Sequence, residues 1–278
     1  MNDKIILQHH LHKWLGGIKP AWDGIPPKLR MDFINAPRIE DGPTLLNENL
    51  KIEDLSVSLV LHHAQLVLKA IVSAGGAPLT QKGSLTRKFT EEMIQAFNWP
   101  KYEEKTLKKY CKVINEQDFL PLHFIHILLR SAGIIRKYKK KVIITKSGKE
   151  YLEPRSEGKF FAALFKALVN DFNLAYLDRV PIEQVIQPQI GFILYLISKE
   201  ADEWINPDRL MKLTIIPVET IFGGHLDYPN MIFEARVLRF MKWFGLMEER
   251  VLSDEDVYPI IRDYRKTELF NKFISYEV

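Results

Sequence analysis

The chain has a single cysteine, Cys111, which excludes an internal disulfide and any zinc site built on cysteine ligands. It also lacks any run near the roughly 18 apolar residues of a membrane-spanning helix. Its greasiest stretches, FIHILLR, FILYLI and FFAALFKALV, are short or broken by charge. The opening MNDKIILQHHLHKW has no basic region followed by an apolar block and a cleavage site, so the expected setting is a reducing cytoplasm, away from membranes. No GxGxxG occurs, and GGAPLTQKGS sets Lys82 before Gly83, the reverse of a phosphate-binding loop. His9, His10 and His12 have no cysteine or carboxylate pair nearby to complete a metal site. Tyr264 beside Arg262, Arg265 and Lys266 is only superficially a nucleophile setting. No catalytic residue, cofactor or metal is therefore expected.

Acidic residues are scarce in one place. From Phe119 to Lys149 there is none, whereas a merely solvated surface usually mixes signs. The net charge of +4 conceals this unevenness. Residues 1–79 are balanced, residues 80–149 hold 16 Lys and Arg against 6 Asp and Glu, and residues 150–278 hold 15 against 21. One region is thus suited to a polyanion and the others are not. With 278 residues, 46% of them hydrophobic, the chain can build two ordinary cores.

Residues 1–54 are punctuated by Pro20, Pro26, Pro27, Pro37 and Pro43 and by four glycines. Trp14, Trp22, Phe33, Ile34, Leu45 and Leu46 are scattered among them, which predicts an arm packed on the body. From Leu55 a helical period places Leu59, Leu66, Val67, Ala70 and Ile71 on one face until Gly75-Gly76. A short extended piece follows, then a helix over Thr86 to Phe97, then a polar helical insertion over 101–116. Asp118 is positioned to cap a third helix, Phe119 to Ala132, that stops at Gly133. Beyond Gly133 the period becomes two, with Lys139-Lys140 at the turn of a hairpin and Tyr151 and Leu152 on a short closing helix.

Helix, short strand, helix, helix, hairpin is the order of a winged helix-turn-helix. Residues 57–153 resemble that superfamily, above all in SAGIIRKYKKKVIITKSGKEYL. PLTQKGSLTRKF also resembles a segment of uncharacterised bacterial proteins. A degenerate second copy is expected after the connector helix at Phe160–Leu168. GFILYLISK answers to the first helix, RFMKWFGLM to LLRSAGII, and RKTELFNKFI to TKSGKEYL. The expected class is mainly α with small β-hairpins (α+β): an arm at 1–54, a basic winged helix at 55–155 and an acidic winged-helix-like domain at 156–278.

The resemblance implies double-stranded DNA as the partner of the first domain. Arg136, Lys137, Lys139, Lys140, Lys141 and Lys146 of the wing would reach phosphates whatever the base sequence. Arg87 and Lys88 at the start of the second helix would add phosphate contacts. On the third helix, His123, His126 and Arg130 lie at spacings of three and four and would read base edges, although Leu120, Phe124 and Ile127 make that helix apolar nearly all round. The second hairpin carries Glu248, Glu249, Asp254, Glu255 and Asp256 instead. It is expected to repel phosphates and to serve a protein partner or a second copy of the chain, with Arg236, Arg239 and Lys242 on the adjacent helix as lesser DNA candidates. A transcriptional regulator or a mobile-element or defence factor is expected, against a protein-interaction or RNA-binding module.

Overall fold

The computed structural model describes residues 3–178, 180, 185–222, 229–253 and 260–278, in a mixed helical and strand architecture with small sheets. Along the chain run α1 (Asp3–Leu15), α2 (Pro27–Ile34), β1 (Thr44–Leu46), α3 (Leu59–Ser73), β2 (Ala77–Pro78), α4 (Arg87–Ala96) and α5 (Glu104–Tyr110). There follow α6 (Leu120–Ser131), β3 (Ile135–Tyr138), β4 (Lys141–Ile144), α7 (Lys146–Glu150), α8 (Glu157–Asn170), α9 (Ile190–Glu200), α10 (Pro207–Thr214) and α11 (Glu219–Phe222). Next, α12 (Pro229–Phe233) passes through a π-helical segment, Glu234–Leu238, into α13 (Arg239–Phe244). The chain ends with β5 (Met247–Val251), β6 (Arg262–Lys266), α14 (Glu268–Phe273) and β7 (Ile274–Tyr276). No helix among the described residues is long and apolar enough to cross a membrane.

The chain divides into two compact units, Glu48–Phe172, and Met1–Asn47 together with Asn173–Val278. α8, expected at the head of the second domain, thus belongs with the first. The residues of the expected arm up to Asn47 belong with the C-terminal part, where β1 pairs antiparallel with β7, Thr44 opposite Tyr276.

In the unit Glu48–Phe172, α3 starts four residues after Leu55 because Ser58 accepts a hydrogen bond from the Leu61 amide and so caps it. Its inner face buries Val60, Leu61, Ala64, Val67, Leu68 and Ile71 against α6, α8 and β4. Each of the valine, leucine and isoleucine side chains among them contributes about 1.5–3 kcal/mol. The sheet order is β2-β4-β3, all antiparallel. The insertion is helical only over α5, and Lys101 before it has φ +69°. Asp118 caps no long helix. It sits with Asn115 in a reciprocal capping box around a single turn, Glu116–Asp118, and α6 begins afterwards.

The discontinuous unit is built on α9, whose Phe192, Tyr195 and Leu196 enclose Phe33 of α2; the Phe33 and Tyr195 rings stack at 5.0 Å. Around Gly245 it has several hydrogen bonds of the same kind as those around Gly133 in the other unit. Gly133 and Gly245 follow α6 and α13 with φ +67° and +79°, a left-handed turn that glycine enters without steric cost. The next amides close on the helices in the same way, Ile134 on Leu129 and Leu246 on Met241. Thr145 and Thr267 donate through Oγ1 to the carbonyls of Gly133 (2.9 Å) and Gly245 (2.7 Å), and each accepts from the amide three residues ahead. The Ile205–Tyr264 bridge joins β6 much as β2 joins β4.

Candidate functional site

The hairpin of β3 and β4 is held at its base by Ile134, Ile135 and Val142, all almost fully buried. Its register assigns the rest. Ile135 faces Ile144 and Lys137 faces Val142 on one side; Arg136 faces Ile143 and Tyr138 faces Lys141 on the other. Lys139 and Lys140 form the two-residue turn, with Lys139 at φ +54°. The cations therefore do not all lie on one side of the hairpin. Arg136 and Lys141 flank Tyr138, Lys137 extends from the core side, and two lysines make the tip.

Arg136, Lys137, Lys139, Lys140, Lys141 and Lys146 are all exposed, as is Arg130 at the end of α6. None of the seven forms an ion pair among the described residues. The hairpin of β5 and β6 is the opposite case. Arg250 pairs with Asp263 at 2.7 Å, Arg265 with Glu248 at 2.5 Å, and Lys266 with Asp202 at 3.0 Å. Arg262 pairs with Glu249 at 3.1 Å and Glu234 at 3.3 Å, and Lys242 also reaches Glu249. Arg250 and Arg265 further lie 4.8 and 4.5 Å from the centre of the Trp204 ring. Glu248 and Glu249 thus neutralise their own hairpin rather than offering a bare acidic wing. Asp254, Glu255 and Asp256 lie outside the described residues.

His123 and His126 do not face outward to read bases. Glu116, itself buried, takes both Nδ1 atoms on Oε1, at 2.9 and 2.7 Å, while its Oε2 accepts the buried Leu85 amide. Burial opposes the charge on Glu116, but the bonds from His123 and His126, the charge of His126 and the Leu85 amide together hold its carboxyl at about 2. His126 is only 4% exposed. The physical reason is the all-round apolar character of α6, which buries Phe124 and His126 along with the main stripe. Glu116 instead ties α6 to the loop entering α4. This carboxylate was missed from sequence, although it stands seven and ten residues before the two histidines.

Arg87 and Lys88 are exposed at the start of α4. They line an open cleft with Lys108 and Lys112, but Glu91, Glu92 and Glu104 share it. Lys108 is paired with Glu104 at 2.5 Å, so this surface is of mixed sign. The trio on the helix before β5 is also committed. Arg236 is buried, with Nε 2.5 Å from Asp178, and donates to the Val180 carbonyl; Arg239 packs over Phe240 and Trp243. Tyr264 donates to Glu234 at 3.0 Å, and burial raises its hydroxyl far above the usual tyrosine range. His63 of α3 meets the core: Nδ1 donates to the Leu59 carbonyl and Nε2 accepts from the Asn98 amide. Among the described residues, no group of three or more His, Cys, Asp or Glu is gathered as a metal site.

The residue that sequence reasoning passed over at this site is Tyr138. The residue is 48% exposed, with the Arg136 guanidinium carbon 5.3 Å and the Lys139 ammonium 5.5 Å from the centre of its ring. The signal for it was its place two residues from Arg136 at the end of a strand.

A family model described as the Y4jL N-terminal domain matches residues 56–157, which fall inside the unit Glu48–Phe172. The uncharacterized protein y4jL of Sinorhizobium fredii (strain NBRC 101917 / NGR234) is 26% identical over 140 residues, 49% of this chain. The chain spans 60% of the length of that relative. No solved structure matches the chain. Over the segment that carries the basic hairpin, then, the chain is similar to the Y4jL N-terminal domain.

Proposed function

We propose that the unit Glu48–Phe172 is a winged helix that binds duplex DNA through the phosphate backbone, with the hairpin of β3 and β4 as its wing. The order α3, β2, α4, α6, β3, β4, with β2 joined to β4, supports this assignment, α5 being an insertion. The matching hydrogen bonds around Gly133 and Gly245 support a second, degenerate copy in the other unit. The function is binding rather than catalysis, and regulation of transcription or service in a mobile element or defence system is compatible with it.

One observation carries the proposal: seven exposed cations on and beside one hairpin form no ion pair among the described residues, while the cations of the hairpin of β5 and β6 are all paired with carboxylates. Both hairpins close on the same frame, so the fold does not require the free charge. Uncompensated cations on a small ribbon repel one another, and phosphates relieve that repulsion. Arg130, Arg136, Lys137, Lys139, Lys140, Lys141 and Lys146 are assigned to the backbone, and His123 and the buried His126, both bonded to Glu116, are removed from base reading. Retention on a random 20-base-pair duplex tests this. K139A/K140A/K141A should lose most of the affinity, whereas R250A/R265A, which removes committed cations, should retain it. Equal retention by the wild type and the triple variant would refute the assignment.

A further inference from the structure

We infer that the wing recognises an unpaired base, stacked on Tyr138, so that the preferred substrate is DNA with an end overhang, gap or other single-stranded element. This rests on the nucleic-acid reading of the hairpin and narrows its substrate class. Tyr138 is the last residue of β3, beside the turn, and is exposed. Strand propensity alone explains an aromatic in a sheet, but not its neighbours. Arg136 lies two residues back on the same side, Lys141 lies directly opposite, and Lys139 follows in the turn. The Arg136 and Lys139 cations hover 5.3 and 5.5 Å from the ring centre, which steadies it in its outward pose.

An intact duplex offers this ring nothing to stack on, because its bases expose only their edges in the grooves. An unpaired base offers a face. Aromatic platforms flanked by cations bind single strands in this manner, the ring taking the base and the cations the adjoining phosphates, without strong sequence preference. The composition of the tip, one ring among cations with no carboxylate, matches one nucleotide step and its phosphates.

The test measures fluorescence anisotropy at one fixed salt concentration with three probes. These are a dumbbell duplex closed at both ends by base-free linkers, so that it has no unpaired base, the same duplex opened at one end with a four-nucleotide 3′ overhang, and that overhang made abasic. The wild type should bind the overhang at least about fivefold more tightly than the dumbbell. The abasic overhang should fall back to the dumbbell value, which separates stacking from added phosphate charge. Tyr138→Phe should keep the preference and Tyr138→Ala lose it, the ratio of overhang to dumbbell affinity being the readout, with far-UV circular dichroism of both variants reporting an intact fold. Equal wild-type affinities for overhang and dumbbell would overturn the inference while leaving duplex binding standing, as would a preference surviving in Tyr138→Ala. Absence of binding to all three probes at low salt would refute the nucleic-acid reading and this inference together.

Discussion

Glu116→Gln should weaken the unit Glu48–Phe172 by an amount that depends on pH in a defined way. The wild-type carboxylate answers three donors, two imidazoles on Oε1 and the Leu85 amide on Oε2. A glutamine of the same shape replaces one acceptor with a donor, so either Leu85 or the imidazole pair faces an N–H. The fall of the Glu116 carboxyl from 4.5 to about 2 corresponds to about 3 kcal/mol of stabilisation at neutral pH. A depressed acid stabilises fully above its unfolded value and loses that contribution as pH falls from about 4.5 toward 2. The difference between wild type and variant should therefore be about 3 kcal/mol at pH 7 and shrink steadily below pH 4.5. His63, lowered to about 4 mainly by burial, titrates in both proteins and cancels in the difference. Urea denaturation across pH 3–7 measures the difference, and hydrogen exchange at Leu85 measures it locally, with roughly a hundredfold less protection expected in the variant. A difference that stayed constant from pH 7 to pH 3, or unchanged Leu85 protection at pH 7, would refute the role given to this carboxylate.

Gly148→Ala should unfold the base of the hairpin, because an added Cβ would lie 2.2 Å from the Ile134 carbonyl oxygen; thermal denaturation of the variant should lose or sharply lower the transition of this unit. Arg236→Ala should cost about 3–5 kcal/mol in the other unit, since it leaves Asp178 buried without its cation, and chemical denaturation followed by tryptophan fluorescence reads that cost. Tyr264→Phe removes only a hydroxyl bonded to Glu234, so the same measurement should give about 1 kcal/mol.

The backbone frame could be read from the sequence wherever a local rule acted alone. The glycine stops at 133 and 245 and the Lys139-Lys140 turn are set by residues close in the chain and occur where the pattern placed them; α3 is helical as expected, but it starts at Leu59 and its buried face shares only Val67 and Ile71 with the expected one. What failed was partnership over distance. His123, His126 and Arg130 share a helical spacing, but only the fold brings Glu116 against the two histidines and leaves Arg130 outside. Likewise Glu248 and Glu249 read as free acid, because their arginine partners lie on the returning strand at an offset that β5–β6 pairing alone defines. Tyr138 escaped notice because a strand pattern predicts an aromatic without saying whether its face is covered. Net charge counted along a sequence therefore misleads about surfaces, whereas charge left over after pairing does not.

The most direct measurement is the salt dependence of duplex affinity for the wild type and K139A/K140A/K141A. If six of the hairpin and helix-end cations each meet a phosphate, log K should fall with log salt at a slope of about −5, and affinity should drop about a thousandfold between 50 and 200 mM. The triple variant should flatten the slope by about 3 while keeping the same preference, or lack of preference, among sequences. An identical slope in both proteins would contradict the claim that the unpaired cations of this hairpin are there to hold a nucleic-acid backbone.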